Sequence, residues 1–180
     1  MADSALIVVD MLNRYDHADA EPLVASVRDR LPAMRSLLDA ASEREVLTLY
    51  VNDNYGDWSA NGPSLARHAL GGKAPDLVEP IAPPEDAPFV IKARHSIFYE
   101  TQVEYLLRQE GIRRIVLLGQ VTEQCILYSA LDGYIRGYEV SIPPDAVAHI
   151  DPELAEAALK MMERNLHADV TAAAEAAPSS

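Results

Sequence analysis

Three residues at the ends of apolar runs have the types needed for thiol chemistry. Asp10 closes Ala5-Leu6-Ile7-Val8-Val9, and Lys92 closes Phe89-Val90-Ile91. Cys125 follows Arg114-Ile115-Val116-Leu117-Leu118 by way of Gly119-Gln120-Val121-Thr122-Glu123-Gln124. An ordinary thiol is mostly protonated at neutral pH, so attack on a carbonyl carbon calls for a carboxylate to take its proton and a cation to favour the thiolate. Asp10 and Lys92 are those two groups. Cys125 is the only cysteine, and it falls where a strand pattern gives way to a helical one. N–H groups in the first turn of a helix lack intrahelical partners and favour negative charge, whether on a thiolate or on a developing oxyanion. Taken alone, a lone cysteine is a small hydrophobe; its company makes it a candidate nucleophile.

The elements that must bring these groups together are legible as alternation. Short β-branched runs at Ala5–Val9, Val46–Val51, Phe89–Ile91, Ile115–Leu118, Tyr138–Ile142 and, weakly, Ala168–Thr171 are separated by helical patterns. Strands separated by helices form parallel βαβ units. The expectation is an α/β chain: a three-layer αβα, Rossmann-like open sheet, mostly parallel, of about six strands. Ligands bind outside the carboxyl ends of such strands, where residues distant in sequence converge. Leu23, Val27, Leu31, Met34, Leu37, Leu38 and Ala41 keep helical spacing, with Pro32 expected to divide the region into two helices. A helix over Tyr99–Glu110 is expected to stop at Gly111, and Asp151-Pro152 to cap another in which Leu154, Ala158, Met161 and Met162 form an apolar face. That methionine pair reads as core or dimer surface. Residues 52–88 are broken repeatedly by Gly and Pro and read as a long excursion forming part of the pocket wall. The whole chain, 1–180, reads as one domain, with 172–180 expected to fray.

Asp10 after the first strand, Lys92 followed by Ser96-Ile97-Phe98-Tyr99-Glu100-Thr101, and Gly119 through Cys125 together resemble the isochorismatase-like cysteine hydrolases. That superfamily includes nicotinamidases and N-carbamoyl amidohydrolases, and the resemblance runs from about Ala5 to about Val170. It implies an Asp-Lys-Cys triad, with Asp10 as general base, Lys92 orienting and stabilising charge, and Cys125 as nucleophile. It also implies a cis peptide between Gln120 and Val121 and an oxyanion hole from the N–H groups of Val121 and Cys125. By the same likeness the chain is expected to be a homo-oligomer, dimer or tetramer.

Nicotinamidases in this superfamily place an Asp and two His just after the second strand. The corresponding stretch here, Asn52-Asp53-Asn54-Tyr55-Gly56-Asp57-Trp58, has neither histidine. No metal and no cofactor are expected, which puts nicotinamide itself in doubt as substrate. Candidate substrate contacts are Asn13, Tyr15, Asn52, Trp58, Arg94, Gln124 and Tyr128, with Tyr55 and His95 beside them. Each has a plainer reading, as loop plug, turn cap or solvent-facing side chain. A rival triad would use His149 as base with Asp145, since Cys-His pairs are common in nucleophilic catalysis. The resemblance instead gives Asp145-Ala146 a structural place behind the last strands.

Fifteen basic against twenty-eight acidic residues give a formal charge of −13, which repels nucleic acid and anionic membrane surfaces. Met1-Ala2-Asp3-Ser4 puts no basic region ahead of its short apolar run, and no segment is long and apolar enough to span a bilayer. One cysteine cannot form an intramolecular disulfide. These features lead to the expectation of a cytoplasmic protein with no nucleic-acid or membrane partner, and the resemblance implies that it is an enzyme with a small-molecule substrate. Its expected reaction is hydrolysis of an amide or ureido C–N bond through a thioester. Two alternatives are vinyl-ether hydrolysis with Asp10 as acid, as in the true isochorismatases, and a non-catalytic binding or thiol-redox protein.

Overall fold

The apolar runs pair in parallel because helical segments carry the chain back across the sheet between them. A computed structural model describes residues 3–178. In order along the chain come β1 (Ser4–Val9), α1 (Ala20–Glu43), β2 (Leu47–Asp53), α2 (Gly62–Leu70), α3 (Pro75–Val78), a 3₁₀ turn (Glu79–Ile81), β3 (Phe89–Lys92), α4 (Val103–Gln109) and β4 (Arg114–Gln120). A π-helical turn (Thr122–Ile126) then runs directly into α5 (Leu127–Ile135), followed by β5 (Glu139–Ser141), β6 (Val147–Ala148), α6 (Pro152–Leu166) and α7 (Ala173–Ala176). The strands form one six-stranded parallel sheet in the order β3-β2-β1-β4-β5. β4 is long enough to take two neighbours in succession: Arg114–Val116 pair with β5, and Gly119–Gln120 with β6.

Side chains alternate across the sheet and create two separate cores. Leu6, Val8, Val116 and Leu118 pack in one with Leu23, Val27, Met34 and Leu37 of α1, Leu65 of α2 and Leu77 of α3. Ala5, Ile7, Val9, Ile115 and Leu117 pack in the other with Val103 and Leu107 of α4, Ala130 of α5, and Ala158 and Met162 of α6. The layers are therefore helix, sheet, helix. Strand order reverses at β1, which lies between β2 and β4, so the crevice of the fold opens at the carboxyl ends of β1 and β4. Asp10 and the Gly119–Cys125 turn sit there.

Gly119 allows those ends to approach. Its φ is +122°, and a Cβ at this position would run into the Val9 carbonyl oxygen. Gly119→Ala is expected to cost about 3 kcal/mol of stability, because neither backbone can yield without moving Asp10 or the cysteine turn. Urea unfolding checks this; an unchanged midpoint would show that the contact relaxes freely.

The structure corrects several sequence readings. Pro32 does not divide α1, which runs unbroken for 24 residues with Pro32 inside. The proline is exposed, so the carbonyl it leaves without a helical partner faces water. The sixth strand is Val147–Ala148 rather than Ala168–Thr171, from which only Asp169 forms an isolated bridge, to Ser141. The 52–88 excursion contributes α2, α3 and the 3₁₀ turn, and Leu65, Ala69, Leu77, Val78 and Ile81 from it are buried core. Asn52 and Asp53, at its start, hydrogen-bond to the Leu12 backbone and to Asp10. The helix read over Tyr99–Glu110 begins at Val103. The tail is ordered through α7, whose Ala173 and Ala176 are buried and which packs on α1; Ser179 and Ser180 of the expected frayed end lie outside the described residues. Met162 is core, whereas Met161 is exposed.

Candidate active site

Asp10, just past β1, is fixed by three hydrogen bonds to the two flanking strands, β2 and β4. Its N–H donates to Val51 O at 2.9 Å, its carbonyl accepts from Gln120 Nε2 at 2.6 Å, and its Oδ1 accepts from the Asp53 N–H at 2.8 Å. The turn there has a positive φ of 56°, which Asp tolerates better than most side chains. Oδ2 lies 2.8 Å from Lys92 Nζ. The Lys92 side chain has no solvent exposure, so its charge must be met inside the protein. Besides Asp10 it has Asp53 Oδ2 at 3.8 Å, and it donates to Cys125 Sγ at 3.5 Å.

The cysteine enters from the π-helical turn. Gln124 and Ile126 N–H both donate to the Val121 carbonyl, at 3.0 and 3.2 Å, bonds that use neither the Val121 nor the Cys125 N–H. The Gln120–Val121 peptide is cis. Thr122 Oγ1 donates to Ala148 O at 2.9 Å, and Glu123 Oε1 accepts from the Ile150 and Asp151 N–H groups, each at 2.9 Å. The turn is thus anchored to β6 and to the start of α6. Cys125 is 9% exposed, its sulfur reaching the crevice floor beside Lys92.

Burial and the neighbouring Asp10 carboxylate push the Cys125 thiol up to about 12, against the pull of Lys92. Burial likewise raises the Asp10 carboxyl, with Lys92 opposing. At Lys92 burial favours the neutral amine, but the neighbouring carboxyl groups, Asp10 before Asp53, outweigh it and raise the amine above its ordinary value. The Cys125 thiol is thus held in its protonated form near neutrality, so its proton must move as the sulfur attacks. Alkylation of Cys125 by iodoacetamide is accordingly expected to accelerate by about tenfold per pH unit from neutrality into the alkaline range, following the thiolate fraction. A plateau already reached near pH 7 would reveal a preformed thiolate and contradict this ionisation state.

The other sequence candidates separate into two groups. Asn52 is buried and spends its amide on backbone, accepting from Leu12 N–H at 2.9 Å and donating to Leu12 O and Asp53 O. Tyr15 is buried with its hydroxyl donating to Gln120 Oε1 at 3.3 Å, and Asn13 Oδ1 caps the Tyr15 N–H at 2.7 Å. These three brace the crevice. Arg94, Gln124 and Tyr128 are exposed. Trp58 is 83% exposed on the loop after β2, and Tyr55 is half exposed. His149 faces α1, its N–H donating to Ser26 Oγ, and Asp145 Oδ1 accepts from the Ala173 N–H at the start of α7. Neither meets the thiol. Instead His95 does, its Nδ1 3.6 Å from Sγ. Sequence reasoning missed Gln120 and Asp53 as supports, although both stand inside stretches it singled out.

Residues 4–175 match the family model of the isochorismatase domain. The chain is 36% identical to the uncharacterized isochorismatase family protein YaaI of Bacillus subtilis, over 94% of each chain. It is 29% identical to the ureidoacrylate amidohydrolase RutB of Stutzerimonas stutzeri, over 87% of this chain and 74% of the relative. Its fold is similar to that of an N-carbamoylsarcosine amidase from Thermoplasma acidophilum, with TM-score 0.72, 26% identity and coverage of 95% and 96% of the two chains. It is also similar to a nicotinamidase from Staphylococcus aureus, with TM-score 0.73, 25% identity and coverage of 95% and 99%. With the domain matched almost from end to end, the chain belongs to the isochorismatase family.

Proposed function

We propose that the protein is a cysteine hydrolase that cleaves a C–N bond of a small amide or ureido compound through a thioester. The observation that carries this is the continuous contact of nucleophile, cation and base: Sγ to Nζ at 3.5 Å and Nζ to Asp10 Oδ2 at 2.8 Å, at the crevice of the sheet. The ureidoacrylate amidohydrolase and N-carbamoylsarcosine amidase relatives support the bond type.

In this reading the Cys125 sulfur attacks the carbonyl carbon while its proton passes to Asp10. Charge develops on the carbonyl oxygen, which the Val121 and Cys125 N–H groups receive. Lys92 stabilises the sulfur as its proton leaves. The tetrahedral adduct collapses, the C–N bond breaks, and Asp10 returns the proton to the departing nitrogen. Water then hydrolyses the thioester. No step calls on a cofactor. The test is ammonia release across a panel of primary amides and ureido acids, measured for wild type and Cys125→Ala; release that survives loss of the sulfur would contradict the reading.

A further inference from the structure

We infer that His95 is a further catalytic residue, the base that activates water for hydrolysis of the acyl-Cys125 intermediate, with Asp10 serving the acylation half of the cycle. The inference rests on the thiol reading above and adds a division of labour to it.

The thiol lies between two proton acceptors of opposite exposure. On its inner side, Asp10 has both oxygens engaged, Oδ1 by the Asp53 N–H at 2.8 Å and Oδ2 by Lys92 at 2.8 Å. On its outer side stands the exposed His95 imidazole, Nδ1 3.6 Å from Sγ. The backbone beneath that ring is fixed: the Ile97 N–H donates to Ser129 Oγ at 3.1 Å, and Ile97 and Phe98 are buried. The Tyr128 ring, 5.4 Å away and tilted by 49°, flanks the imidazole from α5. His95 is thus an exposed ring on a rigid footing, held at the sulfur that becomes acylated.

Once the nitrogen product leaves, Asp10 has given back its proton and is again paired with Lys92. Water arrives from solvent, hence on the His95 side. Its proton passes to the imidazole as its oxygen bonds to the thioester carbon. Collapse of the adduct breaks the C–S bond, and the imidazolium returns the proton to the Cys125 sulfur across the Nδ1–Sγ contact. Thioester and water become carboxylic acid and thiol, with no other reactant. A neutral imidazole has a ring nitrogen free to accept a proton and can return it, as both transfers require.

The test uses p-nitrophenyl acetate, whose leaving group needs no proton, with p-nitrophenolate release and intact mass followed together. In His95→Ala, acylation of Cys125 should stay within about twofold of wild type while the acetyl adduct persists at least about 100-fold longer, the lower range for loss of a general base. Added imidazole should speed its clearance in the variant and not in wild type. His95→Gln, which keeps a polar side chain without a base, should also accumulate adduct. An adduct that clears at the wild-type rate in both variants would overturn the assignment to His95 and leave Asp10 to serve both halves. Slowed acylation with unaltered clearance would overturn it too. Absence of any Cys125-dependent release or adduct in wild type would overturn the thiol reading itself.

Discussion

Cys125→Ala is expected to lower turnover by at least about 10⁴-fold while leaving the fold intact, since removal of a nucleophile costs several orders of magnitude and residues acting as a unit fail together. The substitution removes one sulfur from a small, nearly buried site whose backbone is held by other groups. Val121 O, Thr122 and Glu123 anchor the turn without help from the thiol. Thermal unfolding should therefore change little. Combining Cys125→Ala with Asp10→Asn should bring almost no additional loss of rate, because the base has nothing left to deprotonate. If the alanine variant instead kept turnover within tenfold of wild type, sulfur would not be the nucleophile.

Lys92→Met has the second largest expected effect, and its sign follows from the balance at Asp10. Burial raises the carboxyl and the Lys92 charge is the first of the influences opposing it. Without the ammonium, the carboxyl rises further and is protonated over more of the neutral range. A protonated Asp10 cannot take the thiol proton, so turnover at neutral pH should fall by about 10³-fold, within the range for general-base loss. Activity requires ionised Asp10, and it is lost as pH falls through the folded-state pKa. The acid limb of the pH–rate profile should consequently move to higher pH in the variant, with partial recovery on the alkaline side. An apolar stem of similar length fills the space Lys92 occupies, but removing one partner of a buried ion pair leaves the other uncompensated, so a loss of stability is expected beside the loss of rate. A variant that loses rate uniformly, with its acid limb unmoved, would show that Lys92 does not govern Asp10.

The sequence disclosed the parts of this molecule that depend on alternation and strand ends. β1 and β4 are continuous apolar runs because both faces of each are buried, and such runs are read directly. Asp10, Lys92 and Cys125 stand at the ends of separate runs, so parallel pairing alone suffices to bring them to one edge. What escaped has tertiary causes. Pro32 lies on the exposed side of α1, where a missing hydrogen bond can be met by water, and local propensity gave no sign of that. β6 is two residues long and is a strand only because β4 offers it a neighbour beyond β5. α7 has no strong periodicity of its own, and Asp145 caps its start across 28 positions of sequence. At the site, the rival triad reading offered His149 as a base, and the sequence set it aside in favour of Asp10. His149 follows the carboxylate-bearing turn in sequence, yet β6 turns it towards α1, whereas His95 reaches the sulfur because the segment after β3 is clamped by Ser129. Asn52 and Tyr15, polar residues near Asp10, were read as ligand contacts. Burial instead commits them to Leu12 and Gln120, as buried polar groups require.

The central claim is that Cys125 carries the acyl group. The most direct measurement is rapid-quench intact-mass spectrometry with peptide mapping. The protein would be mixed with a panel of small primary amides, ureido acids and isochorismate, with ammonia and products assayed in parallel for wild type and Cys125→Ala. The account predicts a transient acyl adduct on the Cys125 peptide and ammonia release that vanishes in the alanine variant. Isochorismate consumed at the same rate with or without the sulfur would contradict it and move the chemistry to Asp10 as a proton donor.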